Sequence, residues 1–146
     1  RVCGDGPLKE AVCAAMKPED SYLGRISGMD AMKRFYADCD VLLVPSSAET
    51  FGMVYLEAMS QGVPVLYTKG QGFDGQFPEG EVGFSVPCGD TAAQADALCH
   101  VMEDYSARSA RCVERAREYA WERIAKKWMK AYGETDAALD QSPKGN

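Results

Sequence analysis

The chain has 146 residues, 46% of them hydrophobic, and a formal net charge of −6. That length suits one domain and hardly two, the apolar fraction is enough for a packed core, and the acidic balance speaks against a nucleic-acid partner, which needs a basic face. An anionic small ligand stays open, because backbone amides hold phosphate without side-chain charge. Six cysteines stand at 3, 13, 39, 88, 99 and 112, with no Cys-x-x-Cys pair and no zinc spacing. They are expected to be reduced, mostly packed thiols, and neither a metal site nor a cofactor is expected. No signal peptide is visible and no apolar run approaches the ~20 residues that span a bilayer, so a cytoplasmic location is expected.

Along the chain, strands and helices alternate. Arg1-Val2-Cys3 reads as the tail of a strand running straight into Gly4-Asp5-Gly6-Pro7, an opening expected of a domain cut from something longer. Residues 8–16 read as a helix with Pro7 at its first position. Tyr22-Leu23-Gly24 reads as a short strand, and Asp30 as the cap of a helix over residues 31–37 whose apolar set is Met32, Phe35 and Tyr36. Val41-Leu42-Leu43-Val44 is a continuous apolar run, predicting a strand buried on both faces of a parallel sheet. A helix over residues 52–61 follows, closed by Gly62 and Pro64. Val65-Leu66-Tyr67 predicts the next strand. Residues 69–81, with four of the fourteen glycines, predict a loop, and Gly83-Phe84-Ser85-Val86 a last strand. Asp90 should cap a helix over residues 91–103. Two more helices are expected over 107–119 and from Trp121 to about Thr135, with a disordered tail over 141–146.

This order implies an α/β fold, a doubly wound parallel sheet of Rossmann type with extra C-terminal helices. Ligands of such sheets bind outside the carboxyl ends of the strands. Those ends carry residues 4–7, 25–28, 46–52 and 69–75, which are expected to share one rim. Within it, Ser46-Ser47-Ala48-Glu49-Thr50-Phe51-Gly52-Met53-Val54-Tyr55-Leu56-Glu57 is the most telling stretch. The helix N-terminus near Phe51, Gly52 and Met53 leaves amides without intrahelical acceptors and a partial positive charge. Gly52 lets a phosphate approach the backbone. Glu49 and Glu57 are eight positions apart, about 12 Å of helix axis at ~1.5 Å per residue, the length of a nucleotide-sugar from ribose to sugar ring. Glu49 suits sugar hydroxyls and Glu57 the two hydroxyls of a ribose. On the residues alone, the other reading stands beside this one: Glu49 favouring the helix dipole and Glu57 a solvated surface residue.

The stretch resembles the Glu-x7-Glu motif in the C-terminal, donor-binding domain of retaining GT-B glycosyltransferases of family 4. The likeness extends to Gly4-Asp5-Gly6-Pro7, Tyr22-Leu23-Gly24-Arg25-Ile26, Ala37-Asp38-Cys39-Asp40-Val41, Glu57-Ala58-Met59-Ser60-Gln61-Gly62-Val63-Pro64-Val65, Val82-Gly83-Phe84 and Trp121-Glu122-Arg123-Ile124-Ala125. It covers residues 1 to about 134. The resemblance implies a hexosyltransferase donor domain over 1–137, lacking its first strand and helix, with a disordered tail over 138–146. It implies a UDP- or GDP-sugar as ligand and no metal. Glu49 would take the catalytic position at the donor sugar, the amides of Phe51, Gly52, Met53 and Val54 would meet sugar and diphosphate, and Glu57 would bind the ribose. Arg25 and Ile26 would present main chain to the base. The family's N-terminal domain, which supplies the acceptor site and any peripheral attachment to a membrane, has no counterpart here, so the fragment is expected to be inactive alone. The family's Gly-Gly-acid loop is replaced by Gly70-Gln71-Gly72-Phe73-Asp74-Gly75, whose role the resemblance leaves open. The alternatives are a non-catalytic nucleotide-sugar-binding module, or another GT-B enzyme such as a nucleotide-sugar epimerase.

Other patterns are weaker. Gly4-x-Gly6 lacks the third glycine of a dinucleotide fingerprint, Lys9 standing there. Asp38-Cys39-Asp40 precedes its strand and reads as a turn rather than a metal ligand pair. His100 reads as a helix-surface or packing residue. Trp121, Ile124, Trp128 and Tyr132 share one helical face, expected to pack on their own domain, with self-association where part of the stripe is left uncovered.

Overall fold

The computed structural model describes residues 1–133. The predicted end of the last helix at about Thr135 and the expected disordered tail lie outside the described residues. The chain forms an α/β structure with a parallel sheet, in two compact units: Arg1–Cys39 and a second that begins at Asp40.

In the first unit the expected strands at Val2 and Tyr22 shrink to a single parallel bridge between those two residues. Three backbone hydrogen bonds join the segments there, from Val2 N–H to Ser21 O, Leu23 N–H to Val2 O and Gly4 N–H to Gly24 O, each 2.7–2.8 Å. The Tyr22 hydroxyl adds a fourth, to Gly4 O at 2.7 Å. Helix α1 spans Lys9–Ala15, with Leu8 rather than Pro7 at its boundary, and α2 spans Met29–Ala37. Asp30 does not cap α2. Gly28, with φ +92°, occupies that place, and the helix starts two residues earlier than expected. Asp30 sits in the first turn, where its charge favours the helix dipole.

In the second unit strands β1 (Leu42–Val44), β2 (Val65–Thr68) and β3 (Gly83–Val86) form a parallel sheet in the order β1-β2-β3. β2 is buried along its whole length. Its side chains point alternately to two covered faces. Leu66 meets Val86, Ala97 and Val101, the last two on α4 (Thr91–Glu103). Tyr67 faces Tyr55 on α3 (Met53–Ser60), their rings 6.1 Å apart. Helix α3 also packs on α5 (Tyr105–Ala116). The run 41–44 has the same apolar character as β2, yet Leu43 is exposed and Leu42 and Val44 are half-buried. The expectation of burial on both faces fails because β1 lies at the end of this sheet, while α4 covers β2 and β3.

Asp90 caps α4 as expected, its carboxylate accepting the Ala93 N–H at 2.9 Å. A turn of 3-10 helix over Arg117–Tyr119 leads into α6 (Trp121–Ala131). Here the expectation of packing on the same domain is overturned: Trp121 is 77%, Trp128 59% and Tyr132 71% exposed, with only Ile124 half-buried. The thiols also differ from expectation. Cys3, Cys13, Cys88 and Cys99 are exposed, Cys39 is half-buried, and only Cys112 is buried. Burial pushes the Cys112 thiol up to about 12, so it stays protonated at neutral pH.

Arg108 is the one buried cation among the described residues. Its guanidinium donates to the carbonyls of Gly80, His100 and Val101 and stacks over Phe84, tying the turn before β3 to the junction of α4 and α5. His100 is exposed, with Nδ1 2.9 Å from Asp96 O. It is a helix-surface residue, as read from the sequence.

Candidate functional site

Residues 46–52 connect β1 to α3 without regular structure. They end at Gly52, which has φ +81° and offers α3 no side-chain cap. A side chain at Gly52 would place its Cβ 2.3 Å from the Tyr55 ring. Both the left-handed turn and the close ring therefore demand glycine. No side chain caps the helix, and the Met53 and Val54 N–H groups have no acceptor inside it. Tyr55 fixes this end to the sheet: its hydroxyl donates to Val44 O at 3.0 Å, and its ring lies 4.6 Å from that of the buried Phe73. Burial first, and then the charge of Glu49, push the Tyr55 hydroxyl up to about 12, so it remains a donor throughout the neutral range. Tyr55→Phe should cost about 1 kcal/mol, the value of one hydrogen bond lost with its acceptor left inside, read as a lower urea midpoint.

Glu49 is half-buried, and its carboxylate turns forward to accept the Phe51 N–H at 3.3 Å. The segment from Glu49 to Glu57 is therefore not eight residues of helix. Only the part from Met53 onward is helical, and the left-handed turn at Gly52 intervenes. The 12 Å helix-axis argument fails for that reason: Glu49 precedes the helix and Glu57 lies one turn into it. Glu57 is exposed on the stripe Met53, Glu57, Ser60, which runs back to the N-terminal end of α3, while Tyr55, Leu56, Ala58 and Met59 face the core. Glu49, Phe51 and Gly52 thus lie in the turn before α3, and Met53, Val54 and Glu57 in its first turns, with Met53 and Glu57 on the exposed side. Arg25 (exposed) and Ile26 (half-buried) lie in the first unit, in the segment between the Tyr22 bridge and α2.

The loop after β2, which sequence reasoning left without a role, is bound to the Glu49 segment. The Glu49 N–H donates to the Gln71 side-chain oxygen at 2.8 Å, Gly72 N–H donates to Glu49 O at 3.1 Å, and the Gln71 amide nitrogen donates to Ser47 O at 3.3 Å. The rim expected at the carboxyl ends of β1 and β2 is real for these two loops. The sequence signal for it was a glutamine flanked by two glycines directly after a buried strand. Phe73 anchors the loop in a cluster with Tyr55, Tyr67 and Phe77, and Phe51 and Tyr119 extend the cluster toward the helix start. Among the described residues no group of three or more His, Cys, Asp or Glu side chains is arranged to hold a metal ion. No helix of the described residues is long and apolar enough to cross a membrane.

A parallel α/β sheet with an uncapped helix start behind an acid-bearing loop at its carboxyl edge is a Rossmann-like arrangement of the kind that GT-B glycosyltransferases contain. The family profile described as "Glycosyl transferases group 1" matches residues 1–119, and the chain belongs to that family. It is 34% identical over 111 residues to the D-inositol 3-phosphate glycosyltransferase of Corynebacterium urealyticum, covering 74% of this chain and 26% of the relative. It is 36% identical over 117 residues to the phosphatidyl-myo-inositol mannosyltransferase of Mycobacterium leprae, covering 76% and 30%. Among solved structures, Anabaena HepE in complex with UDP-glucose shares the fold with a TM-score of 0.68 at 23% identity, over 91% of this chain and 40% of that one. The chain therefore spans between a quarter and a third of the length of these two curated relatives.

Proposed function

We propose that this chain binds a nucleoside diphosphate sugar, UDP- or GDP-linked, as the donor half of an enzyme that transfers a hexosyl group with retention at the anomeric carbon. The observation carrying the proposal is the uncapped start of α3, with the half-buried Glu49 before it and the exposed Glu57 one turn into the helix. The Met53 and Val54 amides and the helix dipole would receive the diphosphate and stabilise the charge that builds on it as it leaves. The Phe51 amide, which donates to Glu49, would turn to the ligand and release the Glu49 carboxylate to a sugar hydroxyl. Glu57 would accept both ribose hydroxyls, and Arg25 and Ile26 would offer main chain to the base. The name of the HepE complex and the glycosyltransferase names of the relatives support this reading.

An acceptor domain N-terminal to this one in the whole protein is part of the same proposal, and transfer is expected only with it. Calorimetric titration of the chain with UDP, GDP, UDP-glucose and GDP-mannose tests the binding. Saturable binding of one base series, with the sugar nucleotide at least as tight as the diphosphate, is the expected result. Absence of binding in both series would overturn the reading.

The aromatic face of α6 is proposed as a contact surface, in this chain between two copies. The Trp128 and Tyr132 rings lie 5.7 Å apart, tilted by 40°, on the exposed side, an apolar patch that water disfavours. Light scattering at millimolar concentration should show dimers that Trp128→Glu abolishes. A monomer at that concentration would remove the proposal.

A further inference from the structure

We infer that Gln71 is the positioning residue for Glu49. Its side-chain amide extends the sheet past the end of β1 and holds the acid-bearing loop in register. The inference rests on the donor-site reading above and assigns a role to a loop that reading does not use. Paired strands end at Val44 and Tyr67. Beyond them, residues 46–52 have no ladder of their own. In a parallel ladder, one residue accepts from the N–H of one neighbour and donates to the carbonyl of another two residues earlier on the facing strand. The Gln71 side chain reproduces that pattern. Its oxygen accepts the Glu49 N–H at 2.8 Å and its nitrogen donates to Ser47 O at 3.3 Å. The orientation of the amide follows from the partners, because a backbone N–H can only donate and a carbonyl can only accept. Gly72 N–H then takes the Glu49 carbonyl at 3.1 Å. Both main-chain groups of Glu49 are held by consecutive residues of one loop.

That loop is itself rooted. Gln71 N–H donates to Thr68 O at 3.3 Å, at the end of the buried central strand. Asp74 N–H donates to Gln71 O at 2.9 Å, and the Asp74 carboxylate accepts the Gly70 N–H at 2.7 Å. Phe73, the residue after Gly72, is 1% exposed within the aromatic cluster. The backbone of Glu49 is thus fixed from β2, and only its side chain is free to exchange the Phe51 amide for a ligand hydroxyl. A donor site gains by such fixing, because an acid held in place loses less freedom on binding.

The test compares Gln71→Ala and Gln71→Glu with the parent chain in two measurements. Amide hydrogen exchange without ligand should rise roughly five- to tenfold at Glu49 in Gln71→Ala, the effect of one neutral hydrogen bond, with β2 amides unchanged. Gln71→Glu keeps an acceptor for the Glu49 N–H but loses the donor to Ser47 O, and should recover only part of that protection. In calorimetry, with UDP against UDP-glucose and GDP against GDP-mannose, Gln71→Ala should lower the sugar-nucleotide affinity about five- to tenfold and leave the diphosphate affinity unchanged. Unchanged exchange at Glu49, or equal losses for diphosphate and sugar nucleotide, would overturn the inference. If the parent chain bound no nucleotide, the donor reading would fall, and the exchange at Glu49 in the two variants would still decide whether Gln71 holds the loop.

Discussion

Replacing Gly72 with alanine is expected to cost on the order of 2–3 kcal/mol of stability, because overpacking at a backbone crossing forces the main chain itself to move. A methyl at Gly72 would lie 1.7 Å from the Thr50 carbonyl oxygen and 2.4 Å from its carbon, with the Phe51 nitrogen at 3.0 Å. All three are backbone atoms, so no flexible side-chain tip can yield. Relief requires the loop after β2 to lift from the Glu49 segment, breaking the Gly72–Glu49 and Gln71–Glu49 hydrogen bonds together. The prediction is therefore double: a lower urea midpoint, followed by far-UV circular dichroism because both tryptophans are exposed on α6, and a loss of sugar-nucleotide binding. Gly6→Ala is the control, since a methyl there meets nothing within 4 Å, and it should shift stability by less than about 0.5 kcal/mol. Equal midpoints for Gly72→Ala and the parent chain would mean that the two loops do not cross this closely in solution.

Glu57→Ala should do the opposite, weakening binding while leaving the fold intact. Glu57 is exposed in the middle of α3, where alanine is at least as good a helix former. If Glu57 accepts two ribose hydroxyls, as proposed, removing its carboxylate should lower nucleotide affinity roughly 10- to 100-fold, given about 1.5–3 kcal/mol for a hydrogen bond to a charged group. Two probes isolate the cause. The 2′-deoxynucleotide should bind the parent chain more weakly than the ribonucleotide and bind Glu57→Ala about equally well. Inorganic diphosphate, which has no ribose, should bind both chains alike. If calorimetry gave one affinity for the nucleotide in both chains, Glu57 would have no part in the ribose site.

How much of this was legible in the sequence depended on whether the signal was local. The cap of α4 is local: Asp90 and the Ala93 N–H are three residues apart, and the predicted span 91–103 is the observed one. The closure of α3 is local in the same way, since Gly62 N–H bonds Met59 O one turn back. Asp30 carried the same cap signal but lost its place to Gly28, whose positive φ begins the helix earlier, and residue type alone does not rank two neighbouring candidates. Val41 to Val44 and Val65 to Tyr67 look alike as apolar runs. One is half-exposed and the other fully buried, because strand order decides how many neighbours a strand has. The stripe on α6 was legible as a helical face, but its exposure was not, since periodicity marks a face and does not say what covers it.

By itself the sequence determined the α/β order, the helix start behind an acid-bearing loop, and the family, because these rest on residue types at short spacings. Only the tertiary structure decided how Glu49 is held. Its clamp joins residues 22 to 24 positions apart through one glutamine side chain, and its tight crossing depends on the missing side chain of Gly72. Contacts of that separation form when β1 and β2 pair and bring their carboxyl ends together. No pattern along the chain encodes that approach, so the loop and helix residues could be read in order while the way the loop after β2 holds Glu49 could not.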